Sequence, residues 1–146
     1  MSTPTSTPVD ANLELTLGKR PELWSRFQSF YAALWADGHV SRRVLELCRL
    51  RVAAIHGCAA EWEYRTADVF IADTDVAALQ RGDFQPFDHC EQAALQIAEK
   101  TPFQHQAITD AEVKAVENGY GPAATVALLT AIAFFDVRCR WHLTLN

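Results

Sequence analysis

Four residues in one short stretch carry side chains able to move protons or hold charge: Glu46, Cys58, Glu61 and Arg65. A cysteine attacks as its thiolate, so the neighbours that favour the anion decide what Cys58 can do. Cys58 follows Gly57, and a glycine that ends one helix in the left-handed conformation lets the chain turn back and start a second helix on the cysteine. The positive end of that second helix then favours thiolate. The same turn decides the role of Glu46. Along an unbroken helix it would stand about 18 Å from Cys58, on another face; with the chain folded back it approaches the thiol. On a continued second helix Arg65 lies about 20° from Cys58 and Glu61 about 60° away, with Trp62, Thr66 and Val69 on the face of Cys58. Glu61 and Arg65 stand in the i, i+4 order that suits an ion pair. Such a pair keeps Glu61 ionised and favours binding an anionic or polar ligand over proton transfer. His56 can reach the same pocket or satisfy carbonyls at the end of the first helix. The plainer alternatives are a surface Glu46 among Arg42, Arg43 and Arg49, and a Cys58 that only packs.

These residues need helices to position them. From Arg42 to Ile55, the residues Arg42, Arg43, Glu46 and Arg49 share one side, and Val44, Leu45, Leu47, Cys48, Leu50, Val52 and Ala54 cover most of the rest, which makes this a largely buried helix. Arg51 is set among the apolar residues. A buried guanidinium needs a carboxylate, so Arg51 calls for an acidic partner from elsewhere in the chain. The 3.6-residue periodicity predicts an all-α fold, with helices at 21–36, 42–56, 58–72, 75–81, 89–100, 110–118 and 122–143. Ser41, Thr74, Asp88 and Thr109 are the expected caps, the last two opening capping boxes with Glu91 and Glu112. Residues 1–14 read as a flexible, Ser, Thr and Pro rich arm, and residues 15–146 as one domain.

Composition narrows the function classes. The chain has 146 residues, a net charge of −5, 49% apolar residues and only six glycines and six prolines, the profile of one helical domain that buries its core without disulfide staples. Its arginines are scattered among apolar residues, so neither nucleic acid nor an anionic membrane is an expected partner. The apolar run from Ala123 to Phe135 is shorter than the roughly 20 residues that span a bilayer and reads as a core helix. The N-terminal residues lack a basic and then apolar secretion pattern, so a cytoplasmic location is expected. Four cysteines, Cys48, Cys58, Cys90 and Cys139, show neither metal nor disulfide spacing and are expected as free thiols. Cys90 falls in a first helical turn beside His89, without an identifiable acid-base partner. Cys139 and His142, three apart, are two ligands at most, and the expectation is a packing cysteine beside an exposed histidine with no metal and no cofactor.

The order of these features resembles the carboxymuconolactone decarboxylase and alkylhydroperoxidase D-like family. The resemblance rests on a Glu, eleven residues and a Cys (Glu46 to Cys58), on the run LRVAAIHGC, and on the downstream sequence ALQRGDFQPFD, EQAALQIAEK, ITDAEV and FFDVRCRW. It implies an all-helical subunit that assembles with its own copies as a trimer or hexamer. It also implies thiol-dependent peroxidase chemistry, in which Glu46 draws a proton from the thiol through a relay. Redox-active members carry Cys-x-x-Cys and then a relay His, whereas this chain has Glu61 and Arg65 at those two positions. Glu61 with Trp62 is similar to a branch that replaces the second Cys by Glu-Trp. The resemblance thus implies Glu46, Cys58, Glu61 and Arg65 as the catalytic set and His56, Arg51 and Trp62 as substrate contacts, with a thiol reductant or a small organic acid as partner. The alternatives are a lactone decarboxylase type of lyase without redox chemistry and a scaffold without catalysis. Two carboxylates beside Cys58 outweigh the dipole and Arg65, so its thiol is expected to ionise no more readily than an ordinary cysteine.

Overall fold

The computed structural model describes residues 7–145, which are helical and without strands. The helices are α1 Pro8–Leu17, α2 Pro21–Ala36, α3 Arg42–His56, α4 Ala59–Glu63, α5 Asp73–Arg81, α6 His89–Lys100, α7 Asp110–Tyr120 and α8 Pro122–Leu145, with a short 3-10 turn at His105–Ala107. α3 is the centre. Its residues from Val44 to Leu50, with Val52 and Ala53, are buried, and α4, α5, α6 and α8 pack around it.

Local signals explain most boundaries. The Ser41 hydroxyl accepts the Val44 N–H at the start of α3, and Gly57 ends it at φ 63° with its own N–H bonded to Ala53 and Ala54 carbonyls. Asp88 and Thr109 form complete capping boxes with Glu91 and Glu112. Prolines begin α2 and α8, where a missing N–H costs nothing. At α5 the cap differs from expectation: Ala72 is the N-cap, and Thr74 lies inside the first turn without capping it. α8 runs two residues beyond its expected end. By length and composition it is apolar enough to cross a membrane, yet Leu128, Ile132, Phe135 and Cys139 are core residues, as the run from Ala123 to Phe135 suggested.

Two larger departures bear on the site. Half of the expected arm is α1, which packs on α8 and α2, buries Val9 and Leu13 and sends Asp10 to Arg138 of α8 at 2.6 Å. The first six residues of that arm lie outside the described part. The expected helix 58–72 is one short helix, α4, followed from Tyr64 by non-helical chain with a turn at Ala67 and Asp68. What halts α4 is the site itself.

Candidate functional site

Arg49 and Glu46 were expected on the charged side of α3, and both are buried instead, at 2% and 0% exposure. They organise everything around Cys58. Arg49 Nε donates to Glu46 Oε1 at 2.6 Å, its Nη1 donates to the Glu61 carbonyl at 2.6 Å and to Glu61 Oε2 at 3.1 Å, and its Nη2 donates to the Tyr64 carbonyl at 2.7 Å. The second oxygen of Glu46 accepts the Thr66 N–H at 2.7 Å, while the Thr66 hydroxyl donates to Oε1 at 2.8 Å. The Glu61 and Tyr64 carbonyls and the Thr66 N–H, at the point where the helix would have continued, are therefore bonded to α3 side chains. A buried ion pair left unbonded would cost several kcal/mol, of order 3 to 5, so satisfying it outweighs one or two further helical turns.

Glu61 is the second node. Arg138 Nε donates to its Oε1 at 2.8 Å, and His142 Nε2 stands 3.1 Å from the same oxygen. Burial pushes this carboxyl up, but the His142 hydrogen bond and the Arg138 and Arg49 charges outweigh it and bring the pKa down to about 2. Glu61 is thus a fixed anion, with α4 pinned through it to the last turns of α8.

Cys58 is the N-cap of α4 and 1% exposed. Its sulfur shares a hydrogen bond with the thiol of Cys139 on α8, accepts from the Glu61 backbone N–H and lies beside His142. The Cys139 hydrogen bond is the main influence on the thiol and lowers its pKa; burial opposes it, and the Glu61 N–H and the nearby His142 add to the lowering. Cys139 moves the other way, because it keeps the proton it offers to Cys58 and is itself buried. This overturns the expectation of an unperturbed Cys58. Of the two carboxylates expected to oppose ionisation, Glu46 is engaged by Arg49 and Thr66, and Glu61, held by two arginines and a histidine, still opposes it but is outweighed.

Other expected site residues are placed apart. Arg65 makes no ion pair with Glu61: once α4 stops at Glu63 it swings into solvent, donates to the Trp62 and Tyr64 carbonyls and lies 5.2 Å from the Trp62 ring centre. His56 leaves the pocket for Asp136 at 2.6 Å and packs edge-on against Phe103. Arg51 finds the acidic partner it needs in Glu99, at 2.5 and 3.0 Å, and also donates to the Leu79 carbonyl. It presses so close to Gly82 (φ 74°) that a Cβ there would stand 2.9 Å from its Nη2. His142, expected exposed, is 4% exposed.

Arg49, Asp10, Arg138, Cys139 and His142 are the site members that the sequence reading missed. One signal was present. Arg138 sits in the apolar helix as Arg51 sits in α3, and the same demand for a buried partner applied to it. Beside this network lies a cavity of about 190 Å³ bordered by Tyr31, Trp35, Arg49, Glu61, Tyr64 and Arg138. Among the described residues no group of three or more His, Cys, Asp or Glu side chains is placed to hold a metal ion.

Residues 21–70, which cover α2, α3, α4 and the non-helical chain after it, match the family model described as Carboxymuconolactone decarboxylase family. No curated protein and no solved structure gives a significant match. The matched stretch holds Glu46, Gly57, Cys58 and Glu61, on which the sequence resemblance was built. The match from Pro21 to Phe70 supports the resemblance to the carboxymuconolactone decarboxylase family over about the third of the chain that carries Cys58, and the all-helical fold is consistent with it.

Proposed function

We propose that the protein is a thiol-dependent oxidoreductase that reduces small hydroperoxides at Cys58. The observation that carries this reading is the set of groups aimed at one sulfur: the Cys139 thiol, the Glu61 N–H and the neighbouring His142. All three favour thiolate, the form that attacks a peroxide oxygen. Arg49, Glu46, Glu61 and Arg138 act through position: they hold α4 against α8, and the two arginines offset the carboxylate charges near the sulfur. The burial of Cys58 favours hydrogen peroxide over bulky organic hydroperoxides. Free thiols suit a reducing, cytoplasmic setting. The test is peroxide consumption with a dithiol reductant by the wild type and by Cys58→Ser. Turnover confined to the wild type supports the reading, and equal rates end it.

A second reading has its own support in the cavity. Arg49, Arg138 and Tyr31 border it, and these are groups that hold a small organic acid, the ligand of a lactone decarboxylase type of lyase. Glu61 at about pKa 2 is no general acid at neutral pH, so this reading favours binding over proton transfer. A small-acid screen by thermal shift tests it, since a ligand of the folded state alone must raise stability. For either reading we propose assembly with further copies of the chain. Phe30 at 47% and Val126 at 68% exposure border an apolar groove between α2 and α8, and sedimentation of a monomer at micromolar concentration would count against it.

A further inference from the structure

We infer that Cys58 and Cys139 form a reversible dithiol and disulfide pair, so that α8 supplies the second sulfur that position 61 lacks. This rests on the peroxide reading only for its oxidant; the pairing itself rests on the packing of α4 against α8, with both cysteines buried in one core. Two independent ties bring these sulfurs together. The thiols share a hydrogen bond. Three residues beyond Cys58, Glu61 Oε1 is held by Arg138 and His142, which flank Cys139 on the same buried side of α8. The ion pairs thus hold the backbone that carries Cys58 against the turn of α8 that carries Cys139. The other cysteines are differently placed: Cys48 lies within α3, and the Cys90 sulfur packs against Gly119 of α7, 3.0 Å from where a Cβ would stand.

A disulfide needs its sulfurs about 2 Å apart, so the two must close from hydrogen-bond contact. With Glu61 pinned, the closing movement falls to the N-terminal end of α4, where Cys58 stands. α4 is five residues long, has no side-chain cap and hangs from Gly57, around which nothing lies within 4 Å of an added Cβ. The chemistry balances with two named co-reactants. The Cys58 thiolate attacks a hydroperoxide oxygen and the O–O bond breaks; the alcohol or water leaves with a proton from solvent, and Cys58 becomes a sulfenic acid. The Cys139 sulfur then attacks that sulfenic sulfur, the S–O bond breaks, and hydroxide leaves as water with the Cys139 proton. A dithiol reductant returns both thiols and is itself oxidised to a disulfide.

The experiment treats the full chain with one equivalent of hydrogen peroxide, and separately with diamide, then blocks free thiols under denaturing conditions and maps linked peptides by mass. Dimedone is present in a parallel peroxide sample. In the wild type a peptide joining Cys58 to Cys139 is expected, with little dimedone adduct. In Cys139→Ser and Cys139→Ala the adduct on Cys58 should rise at least tenfold. The wild-type map needs no substitution, so a poorly folded variant leaves the inference open to test. If peroxide oxidises Cys58 to the same adduct in wild type and variants and no linked peptide forms with either oxidant, the pair is overturned while the peroxide reading stands. If diamide joins the two sulfurs and peroxide leaves Cys58 untouched, the pair stands and the peroxide reading falls.

Discussion

Cys48 and Cys58 lie ten residues apart, both buried, in one core. They have opposite chemistry. Cys48 stands in the middle of α3, where burial, reinforced by Glu91, raises its pKa. Cys58 stands just beyond α3, at a helix N-terminus, where a second thiol, a backbone N–H and a histidine meet its sulfur and lower it. Burial by itself makes a thiol inert, and burial among donors makes it reactive. The difference depends on where carboxylates are allowed to stand. Around Cys58 each one is held by arginine or histidine, so that Glu61, whose charge still opposes the thiolate, is outweighed.

The comparison breaks most severely if that arrangement is removed. Glu46→Ala leaves the Arg49 guanidinium buried without its nearest anion and Thr66 without its acceptor, so a loss of about 3 to 5 kcal/mol is expected in denaturant unfolding, with Cys58 reactivity falling towards that of Cys48. A loss under about 1 kcal/mol would mean that α4 is held by other contacts.

Acid should dismantle the same arrangement through Glu61. Its folded pKa, about 2, is below the ordinary value of 4.5, so its contribution is fully present above pH 4.5 and is lost as pH falls towards 2. That contribution is of order 3 kcal/mol. Glu61→Gln should be less stable at neutral pH and flatten stability against pH in that window; an unchanged slope would show that Glu61 carries no such coupling.

The comparison sharpens in native alkylation mapped by mass. Cys58 should react about a hundredfold faster than Cys48 at neutral pH, with a midpoint below that of an ordinary thiol, whereas Cys48 should be modified only as the chain unfolds. Equal rates would show that access, and not ionisation, governs both. Cys139→Ala removes the principal hydrogen bond to Cys58 and should shift that midpoint upward, by a change worth about 1 kcal/mol. The smallest effect belongs to Arg65. It is exposed and turned away from Glu61, so Arg65→Ala should alter stability by less than about 0.5 kcal/mol and leave the Cys58 profile unmoved, and Arg65→His should restore no relay.

The helical class, the caps at Ser41, Asp88 and Thr109 and the turn at Gly57 followed from the sequence, because caps and periodicity act between residues three or four apart. So did the need of Arg51 for a distant acid, though not the identity of Glu99. The end of α4, the fold of α1 and the membership of the site depended on long-range contacts. Arg138 reaches Glu61 across 77 positions, His142 reaches it across 81, and Asp10 reaches Arg138 across 128. Local propensity favoured a longer second helix and a charged outer side for Glu46 and Arg49. Only the folded chain could override it, because a side's exposure is decided by what packs on it, and buried charges then claim whatever backbone groups are near enough to satisfy them.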